Sequence, residues 1–230
     1  MPSLQGFTIV FDLDGTLVDT APDLIGATDH VLAGLGLGQS NAERQRQKVS
    51  FGARHMIIDA ASQAGRTLLD SEADALHARF IEYYVANIAR TSRPYHQALE
   101  TLDSLRQSGA RLAVCTNKKE ALARTLLKAL SMDHHFVAVA GIDTFPVSKP
   151  HPGHILGTIG LASGSASCAI MVGDSENDIK AARAAGVPVI GCLFGYTEIP
   201  MSELSPDATI GTYTELPAAI ERLIVSRERP

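Results

Sequence analysis

The sequence predicts an α/β fold, in which a doubly wound parallel sheet forms a Rossmann-like core and an all-helical cap domain is inserted into that core. Short apolar segments alternate with segments of helical spacing along most of the chain, which is the order of strands and crossover helices in a parallel sheet. Between residues 18 and 90 this alternation stops, and helical patterns follow one another without a convincing buried strand. These two observations indicate a sheet domain that is interrupted by helices.

Five apolar segments are predicted to be the buried strands of the sheet. They are residues 7–13, 111–116, 136–140, 169–173 and 187–193. Helical spacing between most of these strands predicts crossover helices at residues 97–108, 118–130 and 178–185. Gly109, Gly141 and Gly186 stand where a helix or strand should end.

The inserted segment is predicted to form four helices, at residues 21–34, 42–48, 53–64 and 71–88. A helical insertion directly after the first strand can act as a lid, although the helices can also simply pack on the sheet. The predicted domains are therefore a catalytic core of residues 1–17 and 91–230 and a helical cap of residues 18–90.

The composition is typical of a globular enzyme, with 45% hydrophobic and 20% charged residues among 230. A net charge of −5 argues against nucleic acid or an anionic membrane as the main partner. No apolar run approaches the roughly 20 residues of a membrane helix, and the first residues lack the pattern of a signal peptide. The three cysteines lie in or beside apolar runs and are expected to be reduced thiols of a cytoplasmic protein. The protein is expected to be a monomer or a homodimer.

The first predicted strand ends in two carboxylates, Asp12 and Asp14. Side chains at i and i+2 of a strand share one face, so these two repel each other unless a cation or a proton is present. Open α/β sheets bind their ligands at the carboxyl ends of strands, where this pair lies. One carboxylate could act as a nucleophile while the other transfers protons. Taken alone, such a pattern is more often only a strand followed by an acidic turn.

Three later groups of polar residues also fall at predicted strand ends. Thr116 and Asn117 follow the second strand and could cap the next helix or present N–H groups to an anion. Lys149 lies in a loop with a proline on each side, where a lysine is usually solvated. Asp174 and Asp178 follow the fourth strand and could ligate Mg²⁺, or simply begin a helix.

In this order, the four groups resemble the motifs of the haloacid dehalogenase superfamily, specifically its magnesium-dependent phosphatases with a helical cap after the first motif. Residues 113–118, 143–150, 181–188 and 194–197 are, in addition, similar to those of the phosphoglycolate phosphatases. The resemblance covers essentially the whole chain. It implies a Rossmann-like fold, Mg²⁺ as the cofactor and a small phosphorylated metabolite as the substrate.

The resemblance also implies a role for each carboxylate at the strand ends. Asp12 is expected to be the nucleophile and a metal ligand. Asp14 is expected to be the general acid and base, and to bind the metal through its main-chain carbonyl oxygen. Asp174 is expected to complete the metal ligands that the protein provides. Asp178 is expected to support the site, through water or by orienting Lys149.

The phosphoryl group itself is expected to be held by Thr116 and Lys149, with the backbone of Asn117 nearby. Fixed donors of this kind are effective because negative charge develops on the equatorial oxygens during transfer. The histidines at 134, 135, 151 and 154 show no metal-binding spacing and are expected on the surface or in loops.

Within the cap, Arg54 follows small, turn-forming residues at a predicted helix start and could bind a substrate carboxylate. Such a cation suits 2-phosphoglycolate, the substrate that the resemblance implies, although a plain surface arginine fits the pattern equally well. Three function classes stay open: a phosphatase for this or another small ester, nucleotide or pyrophosphate; a phosphotransferase of the β-phosphoglucomutase type; and a non-catalytic binding module.

Overall fold

The computed structural model describes residues 3–228, and within them six parallel strands form one sheet. In chain order the strands are β1 (Thr8–Phe11), β2 (Val18–Asp19), β3 (Arg93–Pro94), β4 (Arg111–Cys115), β5 (Ala138–Ala140), β6 (Ala169–Gly173), β7 (Val189–Cys192) and β8 (Ala208–Ile210). The large sheet has the order β5-β4-β1-β6-β7-β8, and β2 pairs with β3 in a separate two-stranded sheet.

Ten α-helices are present in the same described part of the chain. They are α1 (Ala21–Ala33), α2 (Ala42–Lys48), α3 (Ala53–Gln63), α4 (Asp70–Ala86), α5 (Ala98–Gln107), α6 (Glu120–Ala129), α7 (Pro152–Leu161), α8 (Glu176–Ala184), α9 (Met201–Leu204) and α10 (Leu216–Glu228). Over residues 3–228, no helix combines the length and the apolar character that a bilayer crossing requires.

The predicted α/β fold with a parallel sheet is confirmed, and all five predicted strands are present. The sequence pattern missed β8, because this edge strand has only three residues and is partly exposed. It also missed α7, which contains glycines at 153, 157 and 160 that weaken the helical signal. A Cβ atom at Gly157 would lie 2.7 Å from the ring of Phe145, so close packing requires this glycine.

The first strand lies in the interior of the sheet. Thr8 at its start pairs with Arg111 of β4 on one side and with Ala169 of β6 on the other, both in parallel register. All four residues of β1 are buried. The carboxyl ends of these three strands therefore lie side by side, at the edge where open α/β sheets bind ligands.

The contacts of the chain define two compact units. One contains the large sheet and comprises the residues up to Val18 and those from Pro94 onward, and the other comprises Asp19–Arg93. The second unit contains the helices α1 to α4, with a small apolar cluster of Leu32, Ala60 and Ala61. That this helical unit acts as a lid stays a prediction.

Within the helical unit, Asp23 of α1 joins the beginning of the segment to its end. The carboxylate of Asp23 is 6% exposed and accepts hydrogen bonds from the backbone N–H and the hydroxyl of both Thr91 and Ser92. Burial by itself raises the pKa of Asp23, but the hydrogen bonds from Ser92 and Thr91 outweigh burial and hold the pKa below its ordinary value.

Asp23→Asn should therefore destabilise the protein at neutral pH by roughly 1–3 kcal/mol, since the amide group cannot accept from four donors. Because the folded pKa is lowered, the stabilisation by Asp23 is complete above the unfolded value of about 3.9 and is lost as the pH falls through the folded pKa. Urea unfolding at several pH values should show that the variant and the wild type differ less in free energy of unfolding as the pH falls. The control is Glu82→Gln, which replaces an exposed residue of α4. A difference in free energy of unfolding that does not depend on pH would contradict this role of Asp23.

Candidate active site

The polar residues predicted from the sequence meet at the carboxyl ends of adjacent strands. Asp12 directly follows β1, Thr116 follows β4, and Asp174 follows β6. Lys149 comes from the loop before α7, and its Nζ atom lies 3.0 Å from Oδ1 of Asp12. The structure thus brings together three of the predicted strand-end groups and the predicted loop lysine.

Lys149 is a buried cation with two carboxylate partners. Its side chain contacts Oδ1 of Asp12 and, at 2.6 Å, Oδ1 of Asp178. Burial disfavours the charged form of an ammonium group, but Asp12 and Asp178 outweigh burial and raise the pKa of Lys149 above its ordinary value. The lysine is therefore charged at neutral pH, and it is not the solvated surface residue that a lone loop lysine usually is.

Three buried carboxylates surround this ammonium group. Asp12, Asp174 and Asp178 each place an oxygen within 4.8 Å of the others. Burial is the largest cause that raises the pKa of Asp12, to about 7; Lys149 opposes it, and the carboxylates of Asp178 and Asp14 add to it. Burial, followed by Asp12, raises the pKa of Asp174 well above its ordinary value. When all three carboxylates are ionised, the cluster has more negative charge than one lysine balances.

This donor set fits a hard divalent cation. Carboxylate oxygens are the ligands that Mg²⁺ prefers, and the described cluster contains no histidine or cysteine of the kind that selects Zn²⁺. Two additional positive charges would offset the excess of buried carboxylates. Asp12 and Asp174 are the side chains that would hold the ion, together with the main-chain carbonyl of Asp14 that the resemblance implies.

The carboxylate of Asp174 is fixed by its neighbours. Its Oδ1 accepts a hydrogen bond from the Thr16 hydroxyl at 2.7 Å, and its Oδ2 accepts one from the Tyr196 backbone N–H at 2.8 Å. A Cβ atom at Gly15 or Gly195 would overlap this carboxylate. Both glycines are therefore required for the close approach of the chain to Asp174. None of these four neighbours was predicted from the sequence to be a site residue.

Asp178 occupies the third position of α8, where its carboxylate completes a capping box with Ser175. Its Oδ2 accepts from the backbone N–H and the hydroxyl of Ser175, at 2.9 and 2.7 Å, and its Oδ1 accepts from Lys149. Asp178 is close enough to the other carboxylates to be a ligand, but both of its oxygens are engaged within the protein. This arrangement favours the predicted supporting role, the orientation of Lys149.

Thr116 and Asn117 are placed differently from a helix cap. The Thr116 hydroxyl accepts from the backbone N–H of Lys118 at 3.1 Å, and Nδ2 of Asn117 donates to the Lys149 carbonyl at 2.8 Å. The helix α6 begins only at Glu120, whose backbone N–H is bound by Asp143. The option that Thr116 or Asn117 caps this helix is therefore wrong, and Asn117 instead fixes the loop that carries Lys149.

The chain is similar to a known family of proteins. Residues 9–192 match the family described as haloacid dehalogenase-like hydrolase. The chain belongs to this family. The family assignment agrees with the resemblance found in the sequence, and the match spans the strand-end residues from Asp12 to Asp178.

Similar proteins from several bacteria support the same assignment. The chain is 48% identical to the phosphoglycolate phosphatase of Agrobacterium fabrum, over 94% of this chain and 93% of that protein. It is 42% identical to the phosphoglycolate phosphatase of Caulobacter vibrioides, over 99% and 96% of the two chains. A crystal structure from Haemophilus somnus, described as a predicted phosphoglycolate phosphatase, superimposes with a TM-score of 0.86 at 32% identity, covering 93% of this chain and 97% of that one. The protein is thus a phosphatase of the haloacid dehalogenase-like hydrolase family.

One pair of residues within this family site was not predicted from the sequence. The Nζ atom of Lys118 lies 2.8 and 3.0 Å from the two carboxylate oxygens of Asp14.

The prediction that His154 lies on the surface or in a loop is wrong. His154 is buried in α7, its Nδ1 accepts from the Lys149 backbone N–H, and burial and Lys149 lower its pKa to about 4. A neutral His154 therefore helps to fix the backbone of Lys149.

Arg54 belongs to the helical unit and lies at the start of α3. Its Nε donates to Asp74 at 2.7 Å and its terminal nitrogen donates to Asp70 at 2.9 Å. Both aspartates lie on α4 and are largely exposed. In this arrangement the two carboxylates compete with any carboxylate of a substrate, so the role of Arg54 in substrate binding stays a prediction.

Proposed function

We propose that the protein is a magnesium-dependent phosphomonoester hydrolase that acts on 2-phosphoglycolate through an aspartyl-phosphate intermediate. The observation that supports this most strongly is the buried contact between Asp12 and Lys149, at the end of β1 and beside Asp174. A carboxylate that attacks a phosphate dianion meets strong repulsion from like charge. Lys149 reduces this repulsion, and a bound Mg²⁺ would supply further positive charge.

In the proposed reaction, an oxygen of Asp12 forms a bond to phosphorus while the bond from phosphorus to the leaving alkoxide oxygen breaks. Asp14 gives a proton to that oxygen. A water molecule then forms a bond to the phosphorus of the aspartyl phosphate and passes a proton to Asp14, while the bond from phosphorus to the Asp12 oxygen breaks and phosphate is released. Thr116, Lys149 and the backbone of Asn117 hold the phosphoryl oxygens in both steps.

The substrate is inferred from the similar proteins, since those at 42–48% identity are named phosphoglycolate phosphatase. The proposal is tested by measuring phosphate release with Mg²⁺ from 2-phosphoglycolate, sugar phosphates, nucleoside monophosphates and pyrophosphate. The highest kcat/KM is expected for 2-phosphoglycolate. A clear preference for another ester would overturn the substrate, and turnover that requires a sugar bisphosphate would favour a phosphotransferase of the β-phosphoglucomutase type.

If Arg54 binds the substrate carboxylate, Arg54→Ala should lower kcat/KM for 2-phosphoglycolate by about ten-fold or more and leave p-nitrophenyl phosphate almost unchanged. Asp74→Ala is the matched control, because it removes an ion-pair partner of Arg54 and retains the guanidinium group. It should preserve activity on 2-phosphoglycolate. Equal losses on both esters, or no loss on either, would show that Arg54 does not determine specificity.

We further propose that the protein works in the cytoplasm. Cys115, Cys168 and Cys192 are all free thiols, and Cys115 and Cys192 are buried. Burial raises the pKa of the Cys115 thiol to about 11, so it is unreactive at neutral pH. Free core thiols of this kind are typical of a reducing compartment.

A further inference from the structure

The ion pair between Lys118 and Asp14 connects two strand ends of the sheet domain. Asp14 follows β1 and Lys118 follows β4, the neighbouring strand. The ammonium group contacts both oxygens of the carboxylate, at 2.8 and 3.0 Å. The side chains are only 7% and 15% exposed, so water screens the attraction between them less than on an open surface.

The backbone of Lys118 is held on both sides. Its N–H donates to the Thr116 hydroxyl at 3.1 Å, and its carbonyl accepts from the Ile142 backbone N–H at 3.0 Å. The segment also packs so closely on Gly141 that a Cβ atom there would overlap the backbone of Glu120. The base of the Lys118 side chain is therefore fixed to β4 and to the segment after β5. Lys119, by contrast, is exposed.

Asp14 lies at a turn of the backbone, where it forms a bridge with Val18 and where Gly15 has a φ of 86°. The backbone N–H of Gly15 donates to the Val18 carbonyl at 3.0 Å. This turn sets the position of the Asp14 backbone. The Lys118 ammonium group, which comes from a segment far away in sequence, then determines the direction of the Asp14 carboxylate.

We propose that Lys118 is a positioning residue that holds the Asp14 carboxylate in the orientation required for proton transfer. The inference rests on the proposed function, in which Asp14 protonates the leaving alkoxide and later accepts a proton from water. Proton transfer needs donor and acceptor within about 2.6–3.2 Å, and a misplacement of about 1 Å can lower a rate by about 10²-fold. In this role Lys118 acts through its contact with Asp14 and not through a contact with the substrate.

The test compares kcat/KM for three esters, because this parameter reports the steps up to the first phosphoryl transfer. The esters are 2-phosphoglycolate, ethyl phosphate and p-nitrophenyl phosphate. Lys118→Met is expected to lower kcat/KM by about 10- to 100-fold for both alkyl esters, which need a proton on the leaving oxygen, and much less for the p-nitrophenyl ester. Lys118→Arg, which retains the charge, should restore part of the loss, and Lys119→Met should match the wild type.

The pattern over the three esters separates this role from the alternatives. A loss confined to 2-phosphoglycolate would mean that Lys118 binds the substrate carboxylate, and this would overturn the positioning role. Equal losses on all three esters would mean that Lys118 only maintains the fold. If Lys118→Met does not fold, as judged by circular dichroism, the comparison of Lys118→Gln with Lys118→Arg tests the same three outcomes.

A double-mutant cycle with Asp14→Asn provides an independent result. Asp14→Asn alone should lower kcat/KM for the alkyl esters by about 10²–10⁴-fold, the usual contribution of a general acid. Because Lys118 acts through Asp14, adding Lys118→Met to Asp14→Asn should cause no further loss. Additive losses would overturn the inference alone. An Asp14→Asn variant with wild-type activity would instead overturn the proposed function.

Discussion

Replacing Asp12 with asparagine should lower kcat by about 10⁴-fold or more, the scale of loss that follows removal of a nucleophile. The amide is nearly the same size as the carboxylate but has no anionic oxygen to attack phosphorus. The fold should be retained, because Lys149 keeps its 2.6 Å contact with Asp178 and one of three clustered carboxylates is removed. The measurement is phosphate release by purified, magnesium-replete protein, together with Tm.

The matched control is Asp103→Asn on α5, which removes an aspartate that is half exposed and outside the site. It should retain wild-type kcat. Mass spectrometry of the Asp12→Asn protein excludes conversion of the asparagine back to aspartate, which would restore activity artificially. Wild-type turnover by an intact Asp12→Asn protein would falsify the covalent mechanism.

Removal of divalent cations with EDTA should reduce activity by about 10³-fold or more, and Mg²⁺ should restore it, since a Lewis acid contributes several kcal/mol to this chemistry. Asp174→Asn should then need a much higher Mg²⁺ concentration. Binding has a readout that does not depend on activity: Mg²⁺ should raise the Tm of the wild type, and raise it less for Asp174→Asn, because an ion that binds the folded state stabilises it.

Glu176→Gln is the control for the metal experiment. Glu176 lies two residues from Asp174, but its side chain is partly exposed and pairs with Lys180 at 2.8 Å. This variant should keep the wild-type dependence on Mg²⁺. Full activity in EDTA, or an unchanged Mg²⁺ requirement in Asp174→Asn, would rule out the proposed metal centre.

The residues that could be placed from the sequence are those whose position follows from the strand that carries them. Asp12 and Asp174 directly follow apolar strands, so the rule that parallel strands end at one edge was enough to bring them together. Lys118 could not be assigned in this way. Its contact with Asp14 depends on the path of a loop that is held by Thr116 and Ile142, and no local pattern in the sequence specifies that path.

The same distinction explains why α6 begins later than predicted. Helical spacing extends back to Lys118, but the Lys118 carbonyl accepts from the backbone N–H of Ile142 instead of from a helical N–H. Lys119 has a ψ of 138°, which is not helical, so the helix begins only at Glu120. The contact with Ile142 comes from a distant part of the chain. Similarly, the glycines of α7 weaken its helical signal. Gly157 is required because Phe145 packs against it in the folded chain, and the sequence pattern does not show this contact.

The interior position of β1 has a consequence for synthesis on the ribosome. Its neighbours β4 and β6 begin roughly 100 and 160 residues after it, so at about 5–20 residues per second the first strand waits several seconds or more for a partner. During this interval four buried, apolar or hydroxyl-bearing residues have no strand to pair with. Slow translation should therefore increase the exposure of the nascent chain to aggregation and to chaperones, and enzymatic activity should appear only after residue 178 has left the exit tunnel.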